Sequence, residues 1–184
     1  MCVILNLTKK ELSKKELLQA WYTNPDGASI WATGMPQPLK FERFFNFSKF
    51  INSSEYAAIP DGAQVVAHFR ISTGGRGVHP FKIPNTSYWL YHNGICGKSR
   101  GNKSDTQLLA ESLRGLNEAQ IVEYLQIVND RGGGKFLLLD PTTGKIKEIG
   151  FTKRSNENHL PHQYQPNFLN HKKTNLYGEG NRLY

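Results

Sequence analysis

Apolar residues along this chain recur in short alternating runs and in helical runs as far as Phe151, and beyond Phe151 the periodicity stops. Alternation points side chains to two faces of a strand, whereas a 3.6-residue period gathers them on one face of a helix. Each such face needs cover, so strands and helices must pack as layers around a core drawn from the first part of the chain. The expected organisation is one α+β domain over residues 1–152, then a basic, polar, irregular tail over 153–184. Neither an internal repeat nor an interdomain linker interrupts it.

Cys2–Leu7 reads as a strand beginning at the N-terminus, and Ser13–Tyr22 as a helix capped by Ser13, with Leu12, Leu17, Leu18 and Trp21 at helical spacing. Asn24-Pro25-Asp26-Gly27 is turn chemistry, and Ala28–Thr33 with Leu39–Arg43 predicts a hairpin. Phe47–Ala58 predicts a helix; Val65–Ile71 and Ser87–Tyr91 predict strands. Ser104-Asp105-Thr106-Gln107 has the form of a capping box opening a helix with Leu108, Leu109 and Leu113 on one face, ended by Gly115. Asn117–Val128 predicts a second short helix. Gly134–Asp140 and Ile146–Phe151 flank Pro141-Thr142-Thr143-Gly144 as a hairpin.

Composition removes several classes. With 184 residues, 38% hydrophobic and 21% charged, and with 17 Gly and 9 Pro, the chain is neither collagen, coiled coil nor wholly disordered. No apolar run approaches the roughly 20 residues of a membrane helix. Lys9, Lys10 and Glu11 follow the apolar start too soon for a signal peptide. Two cysteines, Cys2 and Cys96, make no disulfide framework, so a reducing cytoplasm is the expected location. The net charge of +8 includes five Lys and Arg against two Glu in the tail, the rest being spread thinly. Solvated charge is the preferred account, and a nucleic-acid contact stays open for the tail alone.

A few residues carry candidate chemistry. Removal of Met1 would leave Cys2 with both a thiol and an α-amine, a nucleophile and a base on one residue. His68-Phe69-Arg70-Ile71-Ser72-Thr73-Gly74-Gly75 delivers an Arg to a strand end before a glycine-rich turn, and a guanidinium fork suits a carboxylate. Asn93-Gly94 is either a tight hairpin turn or an oxyanion hole. Asp105 is either first-turn helix chemistry or a receptor for a cation. His92 by itself reads as packing. Cys96 reads as an incidental thiol in a mobile Gly/Lys loop, and His159 and His162 lack metal-site spacing, so no metal or cofactor is expected.

The order of these stretches resembles the class II glutamine amidotransferases, whose glutaminase domain belongs to the N-terminal-nucleophile hydrolases. Cys2, Pro25-Asp26-Gly27, His68 to Thr73, Val78-His79-Pro80-Phe81, His92-Asn93-Gly94 and Ser104-Asp105-Thr106-Gln107 stand in the family's order across residues 2–151. The resemblance implies a four-layer αββα sandwich. It implies Cys2 as nucleophile and Asn93 and Gly94 as the oxyanion hole. Arg70 would hold the α-carboxylate of L-glutamine and Asp105 its α-ammonium, with Thr73 and Gly74 lining the pocket. Ile71, Gly74 and Gln107 stand where members often have Trp, His and Glu. A chain of this length implies a separate ammonia-accepting synthetase or modification enzyme as partner. An N-terminal-nucleophile amidohydrolase acting on another amide, or a non-catalytic binding protein of the same fold, are the alternatives.

Overall fold

A computed structural model describes residues 2–42, 47–72 and 76–151. The expected tail at 153–184, with His159 and His162, lies outside the described residues, as do Thr73 and Gly74.

Strand β1 spans Val3–Thr8 and helix α1 spans Lys14–Thr23. The Ser13 hydroxyl accepts the Glu16 N–H at 3.2 Å, while the Glu16 carboxylate accepts the Ser13 N–H at 3.1 Å. That reciprocal pair satisfies orphan donors at the helix start and is worth about 1 kcal/mol. Strands β2 (Gly27–Ala32) and β3 (Leu39–Glu42) form the expected antiparallel hairpin. The predicted helix over 47–58 is instead two short ones, α2 (Phe47–Ile51) and α3 (Ser54–Ala57). The Asn52 amide turns back to the Ser48 carbonyl at 3.0 Å, and the Ser53 hydroxyl accepts the Tyr56 N–H to start a new helix. Local side-chain bonds therefore replace the continuing ladder.

Strand β4 spans Gln64–Phe69 and a two-residue strand β5, Phe81–Lys82, was not expected. Strand β6 is Trp89–Asn93 rather than 87–91, because its ladder with the strand β7 (Lys135–Asp140) continues through His92↔Phe136 and Asn93↔Lys135. Helices α4 (Asp105–Ser112) and α5 (Glu118–Asp130) and strand β8 (Lys145–Ile149) complete the described elements. In α4 the buried face is Thr106 and Ala110, continued by Leu113 at its C-terminal cap, whereas Leu108 and Leu109 are only half-buried. Only half of the predicted capping box forms there. Ser104 accepts the Gln107 N–H at 3.2 Å, but the Gln107 side chain reaches forward to Glu111.

Two four-stranded antiparallel sheets result, in the orders β1-β4-β2-β3 and β5-β6-β7-β8. Ile4, Trp31 and Val66 of the first meet Tyr91, Leu137 and Leu139 of the second in one buried cluster. The alternate residues Leu90, Phe136 and Leu138 pack with Ala110 of α4, Leu113 just after it, and Ile121 and Leu125 of α5. Cover on both faces explains why Phe136-Leu137-Leu138-Leu139 is a continuous apolar run, each side chain contributing about 1.5–3 kcal/mol by burial. The first sheet packs against helices too: Phe47 lies edge-on to Phe69 at 5.3 Å and 5.6 Å from Trp21. No helix among the described residues is long and apolar enough to cross a membrane.

Candidate active site

Cys2 immediately precedes β1. Because Val3 pairs with Phe69, the antiparallel register sets Cys2 beside Arg70 at the end of β4. Its thiol is half-buried and donates to the Ile71 carbonyl at 3.7 Å. Burial pushes the thiol pKa up; the Ile71 hydrogen bond and the Arg70 charge pull the other way, and the Asp105 charge adds to the rise. The resting thiol is therefore protonated at neutral pH and needs a base to become a nucleophile.

Arg70 is 7% exposed. Its backbone is clasped by the preceding turn: the Arg70 N–H donates to Gly27 at 2.8 Å and its carbonyl accepts from Asp26 at 3.1 Å. The Asp26 carboxylate then accepts the Ser72 N–H at 2.8 Å, which fixes the chain just beyond Arg70. The sequence marks Pro25-Asp26-Gly27 as a turn and as one of the resembling motifs, but gives no sign of this long-range bond to Ser72.

Asn93 ends β6 and is 6% exposed. Its Oδ1 is sealed from solvent without a donor among the described residues. Gly94 leads away from β6 into the segment before α4, so Asn93-Gly94 is not a hairpin turn. At φ +154°, a Cβ on Gly94 would stand 2.6 Å from Gly134 Cα and 2.9 Å from the Gly133 carbonyl, so only glycine fits this close approach.

Asp105 opens α4. Its Oδ2 accepts the Cys96 N–H at 2.9 Å and faces the Cys96 thiol at 3.6 Å, while Oδ1 accepts the Thr106 N–H at 2.7 Å. Cys96 is thus tied to the site rather than incidental, and burial with the Asp105 charge pushes its thiol up to about 12. His92 Nε2 lies 2.7 Å from the Gly133 carbonyl, an acceptor only, so Nε2 carries the proton and Nδ1 accepts from the Thr106 hydroxyl at 2.8 Å. His92 and Thr106 were not singled out from sequence as site residues, since a buried His on a strand carries no signal of what it faces.

Beneath these groups lie two more buried imidazoles. His68 Nε2 is 2.9 Å from His79 Nδ1 and 3.3 Å from the His92 carbonyl, and His68 Nδ1 has no partner among the described residues. Burial lowers His68 to about 3, and burial together with the neighbouring rings holds His79 well below its ordinary value. Both rings are neutral.

Of the sequence-predicted residues, Cys2, Arg70 and Asp105 converge, with Asn93 and Gly94 at the end of β6. Around the Cys2 thiol these groups offer a cation and an anion suited to a zwitterion. The chain matches no protein-family model and no curated protein.

Proposed function

We propose that this chain is a glutamine amidotransferase domain of the N-terminal-nucleophile type, its two sheets and flanking helices forming that family's four-layer αββα sandwich. The observation carrying the reading is the β1–β4 register, which sets Cys2 beside Arg70 at the end of β4, with the Asp105 charge also reaching the thiol. A free amino acid presents a carboxylate and an ammonium, and Arg70 with Asp105 complements both while leaving the side chain at the sulfur.

On this reading, loss of Met1 exposes the Cys2 α-amine, which takes the thiol proton. The sulfur attacks the side-chain carbonyl carbon of glutamine, and the negative oxygen is received by the Asn93 amide and the Gly94 N–H. The C–N bond breaks as the nitrogen takes a proton from the α-ammonium of Cys2, releasing ammonia and a glutamyl thioester. Water then cleaves the thioester to glutamate and restores the thiol. On the same reading the ammonia passes to a separate synthetase or modification enzyme in a reducing cytoplasm.

Intact-mass measurement before and after treatment with a glutamine-mimicking diazoketone tests this. Loss of Met1 and one adduct mapping to Cys2 is expected. Retention of Met1 with Cys2 unlabelled overturns the reading in favour of a binding protein, and Met1 loss without an adduct points to a different amide.

A further inference from the structure

His92, Cys96 and Asp105 each bring a ligand atom within 4.8 Å of the others, and the three come from the end of β6, the segment after it and the start of α4. We infer that they form a regulatory site for a borderline divalent cation of the Zn²⁺ class, bound by imidazole, thiolate and carboxylate.

The donor set is the one zinc prefers, one nitrogen, one sulfur and one oxygen. His92 is already held as a metal-binding histidine is held. Its Nε2–H is fixed on the Gly133 carbonyl at 2.7 Å, which leaves the lone pair on Nδ1 and sets the ring plane. Stacking on Phe136, 4.6 Å between centroids and 11° between planes, braces the ring from the side. The Thr106 hydroxyl that now serves Nδ1 has a second acceptor in Asp105 Oδ1 at 3.3 Å, so it can turn away without losing its bond.

Zinc bond lengths of about 2.0–2.3 Å place tetrahedral ligands about 3.4–3.6 Å apart, so the cluster must close by roughly 1 Å on its widest side. Cys96 stands in the segment between β6 and α4, where such a movement meets no ladder hydrogen bond. On binding, the Cys96 thiol proton passes to solvent and sulfur, Nδ1 and a carboxylate oxygen bond the metal, with water in the fourth position.

The consequence rests on the amidotransferase reading. Asp105 would be claimed by the metal and lost to the α-ammonium of glutamine, so metal and substrate exclude each other.

Co²⁺ added to the full chain reports the site directly, because a thiolate ligand gives a thiolate-to-cobalt charge-transfer absorption. One equivalent should bind with that band in the wild type and in Cys2→Ala. Cys96→Ser should lose the band, and Asp105→Asn should weaken binding by at least about 100-fold, beyond the 10–100-fold typical of losing a mere outer-shell partner. A band that survives Cys96→Ser and vanishes in Cys2→Ala overturns the assignment, as does a wild type with no band at millimolar Co²⁺. Glutamine should compete for the site. Diazoketone labelling of Cys2 without cobalt binding leaves only the metal inference refuted; cobalt binding without labelling leaves only the glutaminase reading refuted.

Discussion

Acid should destabilise this protein well before its carboxylates titrate, because the floor of the site is made of neutral imidazoles. His68 is fully buried and burial lowers it to about 3, against about 6.5 for a free side chain. Between about pH 7.5 and pH 5 the unfolded chain takes up a proton at this ring and the folded chain does not, so stability falls as pH falls. From those two values the loss is about 2 kcal/mol for His68 alone, or about 4–8 °C in Tm for a domain of this size. His79 and His92, both also lowered by burial, push in the same direction. Ordinary carboxylates titrate near 4 and contribute little over this interval. Thermal melts by circular dichroism at the two pH values, at matched ionic strength, give the wild-type loss. The same melts on His68→Gln should show a loss smaller by about 2 kcal/mol over that interval, whatever the variant's stability at neutral pH. Equal pH dependence in the two proteins would refute the argument, because the proton uptake would then belong elsewhere.

Cys2→Ala should abolish glutamine hydrolysis with an unchanged circular dichroism spectrum, since the half-buried thiol makes one weak bond to Ile71. Asn93→Ala should lower kcat by about 10²–10³-fold with little change in KM, as for one lost oxyanion donor; steady-state ammonia release measures both. Arg70→Ala should act the other way, raising KM for glutamine at least tenfold through the loss of a charged bond of about 1.5–3 kcal/mol, and an unaltered KM rules out its role. Gly94→Ala should cost about 2 kcal/mol or more in a denaturant titration, from its contact with Gly134 and a φ of +154° that alanine rarely adopts.

Much of the fold could be read from spacing because its signals are local. Ser13, Ser104 and Asn117 cap the helices expected to follow them, and Asp140 binds the Thr142 and Thr143 hydroxyls to close the last hairpin. Sequence failed where a partner decides. The end of β6 depends on where β7 stops pairing, and the break after Ile51 on Asn52 and Ser53 side chains bonding local backbone groups in place of the helix ladder. The same division holds in the site. Residue order picked out Cys2, Arg70, Asn93 and Asp105, but nothing local to Cys96 announces a carboxylate nine positions later, and nothing local to His92 announces Gly133.

The neutral histidines and the charged rim are also coupled. Arg70 lies near enough to His68 and His79 for its charge to add, after burial, to the depression of both. A protonated ring beneath Arg70 would stack like charges at the end of β4, and the low-dielectric interior makes that costly. The guanidinium proposed to hold a substrate carboxylate therefore also helps keep the floor uncharged, and an arriving carboxylate would offset part of that field. Bound substrate should then ease the penalty on imidazolium, so the pocket is more acid-tolerant when filled than when empty.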